Sequence, residues 1–465
     1  MLYDFGMIGL GTMGRNFLLN VADNGFAAVG LDKDDEKARL LEKEAGDRKI
    51  KGATETEEFV KALATPRKIM MLVPAGKVVD IVIEDLLPHL EEGDLVIDGG
   101  NSFYEDTNRR EQYLAEKGIR FLGVGVSGGA KGARFGPSIM PGGKEASYEL
   151  VRPILEAVSA KVNGDPCVAY LGKTSAGNYV KMVHNGIEYG LMQLIAEAYD
   201  LLKRVGGLSN EELHRTFSQW NSDKLRSFLV EITAAIFAQK DDLGEGDLVD
   251  SILDKAKQKG TGKWTSQNGM DLGIPVPTID AAVSMRGISS FKKDRVATEK
   301  YLDLTIEVAK VDKTEFSNLV KDALYFAFVV TYAQGMNLLA EASEEYEYDL
   351  NMEEIAKIWR GGCIIRADLL EQMRQAYANN PKLKNLIVAP SFKEQLVETQ
   401  AAMRRVLTTG IESGIPLLAF STALSYFDAN RTGRLPLNVV QAQRDYFGSH
   451  TYERLDRDGV FHTEW

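Results

Sequence analysis

The segment Gly9-Leu10-Gly11-Thr12-Met13-Gly14 limits the folds open to this chain more than any other segment does. It follows an apolar stretch, Tyr3 to Ile8, that predicts a strand, and it opens a helical pattern from Arg15 to about Asn24. A second predicted strand, Ala27 to Leu31, comes next. Strand, glycine turn, helix and strand form the βαβ unit that binds a dinucleotide, whose pyrophosphate lies at the helix N-terminus. A turn that is merely rich in glycine is the alternative, and this context disfavours it.

The residues after the second strand bear on the choice of coenzyme. Asp32 lies 18 residues after Gly14, where a carboxylate hydrogen-bonds a ribose 2′-hydroxyl and repels a 2′-phosphate. Lys33 and Asp34 follow, and the Lys33 ammonium group can offset the charge of Asp32. The local chemistry therefore favours NAD and leaves NADP open.

Alternation of strands and helices continues to about Ser175 and then stops. Lys68 to Val73 and Leu95 to Ile97 are strand-like, with helical segments near Glu57 to Ala64 and Val78 to His89. This alternation predicts a mostly parallel, doubly wound sheet. The sequence thus predicts an α/β Rossmann-type coenzyme domain (1–175), a large all-α domain (176–431) and a C-terminal tail (432–465).

Two glycine-rich loops are predicted at the carboxyl ends of strands, where open α/β sheets bind ligands. They are Asp98-Gly99-Gly100-Asn101-Ser102 and Val126-Ser127-Gly128-Gly129-Ala130-Lys131-Gly132-Ala133. Backbone N–H groups beside Asn101 and Ser127 suit a polyhydroxylated acid. Purely structural turns are the alternative, and without further support they are favoured.

A predicted helix around residues 181–189 carries the residues best suited to acid–base chemistry. Lys181, His184, Asn185 and Glu188 recur at i, i+3, i+4 and i+7, which places them on one helical face. From Val180 to Ala196 the only formal charges are Lys181 and Glu188, so the helix is expected to be largely buried. One amine and one carboxyl with shifted pKa values would supply a base and an acid.

The alternative is an ordinary solvated stripe on an amphipathic helix. Gly186 and Gly190 argue against it, because a glycine inside a helix costs up to about 1 kcal/mol relative to alanine and suggests close approach by another element. The catalytic interpretation is therefore preferred.

Two further segments have the chemistry of anion binding. Lys259 to Thr265 combines glycines, hydroxyls and lysines, and Arg286 follows a short way on, which fits a phosphate. A solvated basic loop is an equal alternative for the first segment. The aromatic, basic stretch Gln443 to Tyr452 is poorly suited to solvent, so it is expected to dock on its own helical domain or on a partner subunit.

Composition narrows the remaining classes. A formal net charge of −12 argues against wholesale binding of nucleic acid. No run of about 18 apolar residues and no targeting segment is visible, so no membrane span and a cytoplasmic location are expected. Cys167 and Cys363 lack a metal-ligand spacing, which predicts two reduced thiols and no metal site.

Taken together, the motifs resemble the 6-phosphogluconate dehydrogenase family from end to end. The resemblance rests on these stretches: Gly9 to Gly14, Asp98 to Ser102, Val126 to Gly129, Gly136-Pro137-Ser138-Ile139-Met140-Pro141-Gly142-Gly143, Lys181 to Tyr189, Lys259 to Thr265 and Arg444 to His450. It implies oxidative decarboxylation of 6-phosphogluconate in the pentose phosphate pathway and in gluconate utilization. It also implies that the all-α domain (176–431) binds the substrate and forms a homodimer, in which each tail (432–465) enters the active site of the other subunit.

The resemblance also implies a role for each matching residue. Lys181 would be the general base and Glu188 the general acid. The coenzyme would lie on Gly9, Leu10, Gly11, Thr12, Met13, Gly14, Asp32, Lys33, Asp34, Val73, Pro74, Ala75 and Asn101. The substrate would be held by Asn101, Ser127, Gly128, Gly129, His184, Asn185, Tyr189, Lys259, Thr261 and Arg286, with Arg444 and His450 from the partner subunit. No metal would take part.

The departures from the family pattern concentrate around the coenzyme. Asp32-Lys33-Asp34 stands where Asn-Arg-Ser or Asn-Arg-Thr grips the 2′-phosphate of NADP, the usual coenzyme of the family. Pro74 stands where a lysine is common in the family. Ala130-Lys131 stands in place of the usual acidic pair, and Asn178 in place of the usual histidine. The hypothesis that follows is an enzyme that uses NAD well.

Two other functions fit parts of the pattern. A dehydrogenase of a smaller 3-hydroxy acid would share the glycine fingerprint, the Ser-Gly-Gly loop and the lysine, although the length and the tail disfavour it. A nucleotide-sensing binding protein would keep the fold and lose the chemistry.

Overall fold

The N-terminal part of the chain is built on a seven-stranded sheet. The computed structural model describes residues 2–465. The strands are β1 (Phe5–Ile8), β2 (Ala28–Leu31), β3 (Ile50–Ala53), β4 (Lys68–Met71), β5 (Leu95–Asp98), β6 (Arg120–Ser127) and β7 (Ser138–Gly143). Their order is β3-β2-β1-β4-β5-β6-β7. The first six are parallel, and β7 pairs antiparallel with β6. The predicted doubly wound, mostly parallel sheet is confirmed.

Helices cover both faces of this sheet. They are α1 (Thr12–Asp23), α2 (Asp35–Ala45), α3 (Thr56–Lys61), α4 (Lys77–Leu86), α5 (Tyr104–Ala115), α6 (Gly129–Phe135), α7 (Glu145–Glu149) and α8 (Arg152–Val158). One apolar core contains Phe17 of α1 and Leu155 of α8, and the other contains Phe59 of α3 and Leu114 of α5. Burial on both faces explains the uninterrupted apolar residues of the central strands.

Some elements of this domain differ from the sequence-based expectation. The first helix begins at Thr12, inside the glycine motif, and not at Arg15. Strands β3 and β7 were not predicted. Strand β3 is mostly half-buried and contains Lys51 and Gly52, and β7 contains Pro141 and two glycines that are typical of turns. Neither strand therefore has the apolar pattern by which strands are recognised.

The remainder of the chain is almost entirely helical, as predicted. A short hairpin, β8 (Lys161–Val162) and β9 (Asp165–Pro166), precedes it. The helices are α9 (Ala176–Asp200), α10 (Asn210–Trp220), α11 (Phe228–Ala238), α12 (Leu248–Ser251), α13 (Thr261–Asp271), α14 (Pro277–Ser290), α15 (Lys292–Leu302), α16 (Lys313–Glu345), α17 (Met352–Trp359), α18 (Leu369–Asn379), α19 (Pro390–Glu412) and α20 (Leu418–Asn430). A single large apolar core joins them.

Helix α16 is the central helix of this core. Within residues 2–465 it alone is long and apolar enough to cross a bilayer, but 89% of its most apolar window is buried inside the protein. It packs against α9 and α19. Its apolar character is therefore accounted for by contacts with other helices.

Helix α9 connects the two parts of the molecule. It packs against β6 and β7 on one side and against α13, α14 and α16 on the other. The contact with the sheet is very close at Gly177, where an added Cβ would lie 2.3 Å from the Gly123 carbonyl oxygen. The predicted boundary between residues 175 and 176 falls just before this helix, and the domain limits themselves stay a prediction.

The tail folds on itself around a buried aspartate. It consists of α21 (Leu437–Gly448) and a hairpin of β10 (Tyr452–Glu453) and β11 (Val460–Phe461), so it is more helical than its sequence suggests. The Asp445 carboxylate accepts hydrogen bonds from the backbone N–H groups of Thr451 and Thr463 and from the Trp465 indole. Over residues 2–465, no hydrogen bond or ion pair links the stretch 437–465 to any residue before Pro436.

Candidate active site

The predicted polar face of α9 exists and is buried. Lys181, His184 and Asn185 are all less than one-tenth exposed, and the Glu188 side chain is 21% exposed. The Lys181 amine donates a hydrogen bond to the Asn185 side-chain oxygen at 2.8 Å. His184 Nε2 lies 3.3 Å from the Ser127 hydroxyl. These contacts rule out a solvated stripe.

Burial moves the pKa values of the acid and the base toward each other. It lowers the pKa of the Lys181 amine, and the attraction of Glu188 opposes that shift only in part. It raises the pKa of the Glu188 carboxyl, although Lys181 and Arg286 favour the ionised form. The pKa of His184 lies well below its usual value because the ring is buried near the lysine. A neutral amine and a protonated carboxyl on one face are suited to general base and general acid catalysis.

The two glycines of α9 allow neighbouring elements to approach the polar face. A Cβ on Gly186 would lie 2.6 Å from Thr265 of α13, and one on Gly190 would lie 2.7 Å from Thr331 of α16. The Thr265 hydroxyl donates a hydrogen bond to the Met182 carbonyl oxygen at 2.9 Å. The inference of close approach, drawn from these glycines, is confirmed.

The Ser-Gly-Gly loop follows β6 directly and faces α9. Gly128 and Gly129 have φ values of 111° and 63°, in the left-handed region that favours glycine. A Cβ on Gly128 would lie 2.4 Å from the Gly362 carbonyl oxygen. Gly362 therefore supports this loop, a role that its sequence context did not reveal.

The cationic segments of the helical domain lie beside the same face. The Thr261 hydroxyl accepts a hydrogen bond from the Asn185 amide at 3.2 Å. The Arg286 guanidinium lies 3.4 Å from the centroid of the Tyr189 ring. Lys259 is exposed at the end of the loop. The predicted loop ends at Gly260, because α13 already begins at Thr261.

A cleft of about 380 Å³ lies at the carboxyl ends of β1, β2 and β4. The predicted coenzyme residues that line it are Gly9, Gly11, Asp32, Lys33, Val73 and Pro74. The predicted residues that do not line it are Leu10, Thr12, Met13, Gly14, Asp34, Ala75 and Asn101. The Asp32 carboxylate accepts a hydrogen bond from the Leu10 N–H at 2.9 Å. The glycine turn thereby holds Asp32 at the edge of the cleft.

A buried ion pair connects the coenzyme cleft with the Asn101 loop. Arg110, which is 1% exposed, donates to the Gly76 carbonyl oxygen and to Asp80, and it lies 3.4 Å from Asp98. Asp98 accepts hydrogen bonds from the Ser102 hydroxyl at 2.6 Å and from the Gly100 N–H at 3.0 Å. The sequence does not reveal Arg110, because it stands in a helix rich in ordinary surface charges.

Two of the departures from the family pattern occupy distinct environments. The Asn178 amide donates to the Gly100 carbonyl oxygen at 3.3 Å and accepts from the Thr107 hydroxyl at 3.0 Å. It therefore joins α9 to the Asn101 loop. Lys131 is exposed on α6, away from these contacts.

Arg444 and His450 lie in the self-contained tail. Arg444 donates a hydrogen bond to Gln441, and the His450 ring packs against Phe447. Both side chains are exposed. No hydrogen bond or ion pair within residues 2–465 brings either of them to α9 of the same chain.

No cluster of metal-ligating side chains is found. Among residues 2–465, no group of three His, Cys, Asp or Glu side chains is placed to hold a metal ion. Cys167 and Cys363 are buried and free. Burial raises the pKa of the Cys363 thiol to about 12, so this group is protonated at neutral pH.

Comparison with known families covers both halves of the chain. Residues 4–172 match the NAD binding domain of 6-phosphogluconate dehydrogenase, and residues 177–465 match the C-terminal domain of 6-phosphogluconate dehydrogenase. The chain belongs to the 6-phosphogluconate dehydrogenase family. This finding confirms the resemblance inferred from the motifs.

Individual members of the 6-phosphogluconate dehydrogenase family match along their full length. The chain is 51% identical to the NADP(+)-dependent, decarboxylating enzyme of Bacillus subtilis (strain 168), over 99% of this chain and 98% of that one. It is 50% identical to the decarboxylating enzyme of Escherichia coli (strain K12), with the same coverage. The solved 6-phosphogluconate dehydrogenase of Plasmodium falciparum superposes with a TM-score of 0.96 at 45% identity, covering 99% of this chain and 100% of that one.

Proposed function

We propose that this protein catalyses the oxidative decarboxylation of 6-phospho-D-gluconate to D-ribulose 5-phosphate and CO2, with hydride transfer to NADP or NAD. The observation that carries the proposal is the buried pair of Lys181 and Glu188 on α9, next to the Ser-Gly-Gly loop. The Plasmodium falciparum relative is described in complex with NADP+ and with 6-phosphogluconate. The Lys181 and Glu188 side chains of this chain can serve as the base and the acid that a reaction of these two ligands requires.

The first step is oxidation at C3 of the substrate. Lys181, whose neutral form is favoured because burial lowers the pKa of its amine, takes the proton of the C3 hydroxyl while hydride leaves C3. The bound dinucleotide supplies the hydride acceptor. Asn185 orients the lysine amine through the 2.8 Å hydrogen bond. The product of this step is a 3-keto acid.

Loss of CO2 and protonation complete the reaction. The new carbonyl is β to the carboxylate and accepts the electrons released when the C1–C2 bond breaks, so the step needs no metal ion. Protonated Lys181 returns its proton to the oxygen of that carbonyl, which gives a five-carbon enediol. Glu188, whose raised pKa favours its protonated form, then protonates C1 of the enediol while the C2 hydroxyl gives its proton to Lys181. The product is D-ribulose 5-phosphate.

The substrate is an anion at both ends, which matches the groups around α9. We assign its binding to Asn101, Ser127, Gly128, Gly129, His184, Asn185, Tyr189, Lys259, Thr261 and Arg286. The Arg286 guanidinium lies over the Tyr189 ring, close enough to Glu188 for the two charges to attract each other. Local cations of this kind attract an anion to a protein whose net charge is −12.

We also propose a cytoplasmic homodimer in which the tail completes the partner's site. Leu437, Tyr446, Phe447 and Trp465 of the tail are each more than half exposed, which is unfavourable for a segment without a partner surface. Arg444 and His450 lie on this segment, and contact with the partner would bring them to the substrate. The reaction that we propose is a step of the pentose phosphate pathway, so the protein is expected to act in that pathway.

Spectroscopic assay of nicotinamide reduction tests the proposal. Incubation with 6-phosphogluconate and either coenzyme should give reduced nicotinamide and CO2 in equal amounts. A smaller 3-hydroxy acid as the preferred substrate would contradict it. A ligand that binds the native state raises the melting temperature. A nucleotide sensor would therefore be stabilised by the dinucleotide but not by 6-phosphogluconate, whereas the enzyme should be stabilised by both.

A further inference from the structure

The charged residues of the coenzyme cleft form two ion pairs. Asp32, Lys33, Lys37 and Asp85 are the charged side chains among its lining residues. The Lys33 ammonium lies 2.9 Å from the Asp85 carboxylate, and the Lys37 ammonium lies 3.4 Å from both oxygens of Asp32. Each cation of the cleft is therefore already paired with a carboxylate of the cleft.

The Lys33–Asp85 pair spans the cleft. Lys33 follows β2 at the ribose end, whereas Asp85 lies in the last turn of α4, 52 residues further along the chain. Asp32 is held separately by the N–H groups of Leu10 and Asp34. The position of the Lys33 ammonium group is thus set by a residue on the opposite wall.

A 2′-phosphate needs cations that are free to contact it. In this cleft, NADP would have to draw Lys33 away from Asp85 and would bring its phosphate near two carboxylates. The ribose 2′-hydroxyl of NAD needs only an acceptor, which Asp32 provides.

We propose that Asp85 is a second determinant of coenzyme specificity, which acts with Asp32 to disfavour a 2′-phosphate by engaging Lys33 and by adding a negative charge. The inference rests on the proposed function, since it concerns the dinucleotide of that reaction. It assigns a role in ribose recognition to a residue on α4, outside the glycine motif and outside the segment after β2.

The size of the effect follows from the exposure of the pair. The side chains of Lys33 and Asp85 are 79% and 41% exposed, so water screens much of their attraction. Removal of one such charge is expected to change the ratio of the two affinities by about 3- to 5-fold at low ionic strength. The change should shrink as salt is added.

Asp85→Asn tests the proposal, because asparagine keeps the shape and removes the charge. Adenosine 2′,5′-bisphosphate and ADP are the binding probes, measured by calorimetry on the full-length protein. The variant should bind the 2′-phosphorylated probe about 3- to 5-fold more tightly and should bind ADP within about twofold of the wild-type affinity. The ratio of kcat/KM for NADP to that for NAD should rise in step.

Glu84→Gln is the matched control. Glu84 lies next to Asp85 on α4, contacts Tyr113 and does not line the cleft. Its removal should leave the ratio of probe affinities unchanged. In a Lys33→Gln background, Asp85→Asn should give a smaller gain, because the lysine that it releases is absent.

Two results would overturn the inference. One is an affinity of Asp85→Asn for adenosine 2′,5′-bisphosphate that stays within twofold of the wild-type affinity. The other is an equal gain for ADP and for the bisphosphate. Both are measured without turnover, whereas failure of the proposed function would appear as absence of reaction with 6-phosphogluconate in the wild-type protein.

Discussion

Lys181 owes its chemical role to burial among hydrogen-bonding neighbours. Its amine contacts Asn185, and His184 lies between it and Glu188. Because the buried amine loses water, its pKa is lowered and a larger fraction of it is neutral at a given pH. A solvated lysine would stay protonated under the same conditions.

Lys181→Met should remove hydride transfer while leaving the coenzyme bound. Methionine fills the same space and cannot accept a proton, so kcat should fall by at least about 10²-fold, the usual contribution of a general base. Stopped-flow reduction of the nicotinamide and calorimetric titration with the dinucleotide measure the two properties. Lys173→Met, which removes an exposed lysine paired with Asp349, should react at the wild-type rate. Turnover near the wild-type rate in Lys181→Met would exclude Lys181 as the base.

The pH dependence of kcat/KM should be bell-shaped. At low pH Lys181 gains a proton and is lost as a base, and at high pH Glu188 loses its proton and is lost as an acid. The lowered pKa of Lys181 extends activity to lower pH, and the raised pKa of Glu188 extends it to higher pH. Because the two groups interact, the apparent pKa of each limb of the profile is a property of the pair and not of one residue. Glu188→Gln should slow turnover and abolish the alkaline limb, and an unchanged alkaline limb would contradict the assignment of the acid.

Among the secondary-structure elements, α9 was the easiest to predict from the sequence. Its polar residues recur at helical spacing, and its two glycines correctly indicated contacts with other elements. Strand β7 was not recognised, because Pro141 and its glycines resemble a turn, and its strand conformation depends on pairing with β6. Arg110 and Asp85 were missed for a related reason. Asp80 lies 30 residues from Arg110 and Lys33 lies 52 residues from Asp85, and only the fold brings each pair together.

Gly186→Ala should disturb the contact between α9 and α13. The new methyl group would meet Thr265 at 2.6 Å, so α13 must shift together with Thr261. Overpacking of this kind is expected to lower the free energy of unfolding by about 1–3 kcal/mol, and KM for 6-phosphogluconate should rise. Denaturant titration and initial rates measure the two effects.

Gly287→Ala on α14 provides the control for that substitution. Nothing lies within 4 Å of a Cβ at this position, and alanine in a helix is favoured over glycine by up to about 1 kcal/mol. The free energy of unfolding should therefore stay constant or increase. Equal destabilisation by both substitutions would show that the contact with Thr265 is not the cause.

At the scale of the whole molecule, the residues that we assign to the active site lie in two separate parts of the chain. The helical domain supplies Lys181 and Glu188, while Arg444 and His450 lie in a tail that bonds only to itself beyond Pro436. The motifs indicated that the tail docks, but a sequence does not state on which subunit. That question is settled by mixing subunits.

Mixing the inactive variants Lys181→Met and Arg444→Ala should restore activity. If tails cross, each mixed dimer has one intact site, formed by the Lys181 of one chain and the tail of the other. Random exchange makes half of the dimers mixed, so about a quarter of the wild-type activity should return. Activity that stays at the level of the separate variants would mean that each tail serves its own subunit.

We infer that one site both oxidises and decarboxylates 6-phosphogluconate, with Lys181 as the base. The most direct test uses 6-phosphogluconate labelled with ¹³C at C1, with reduced nicotinamide and labelled CO2 quantified in the same reaction. One labelled CO2 should be released for each nicotinamide reduced, and the other product should be an unlabelled pentulose phosphate. Neither signal should appear with Lys181→Met. Reduction of nicotinamide without release of labelled CO2 would contradict it.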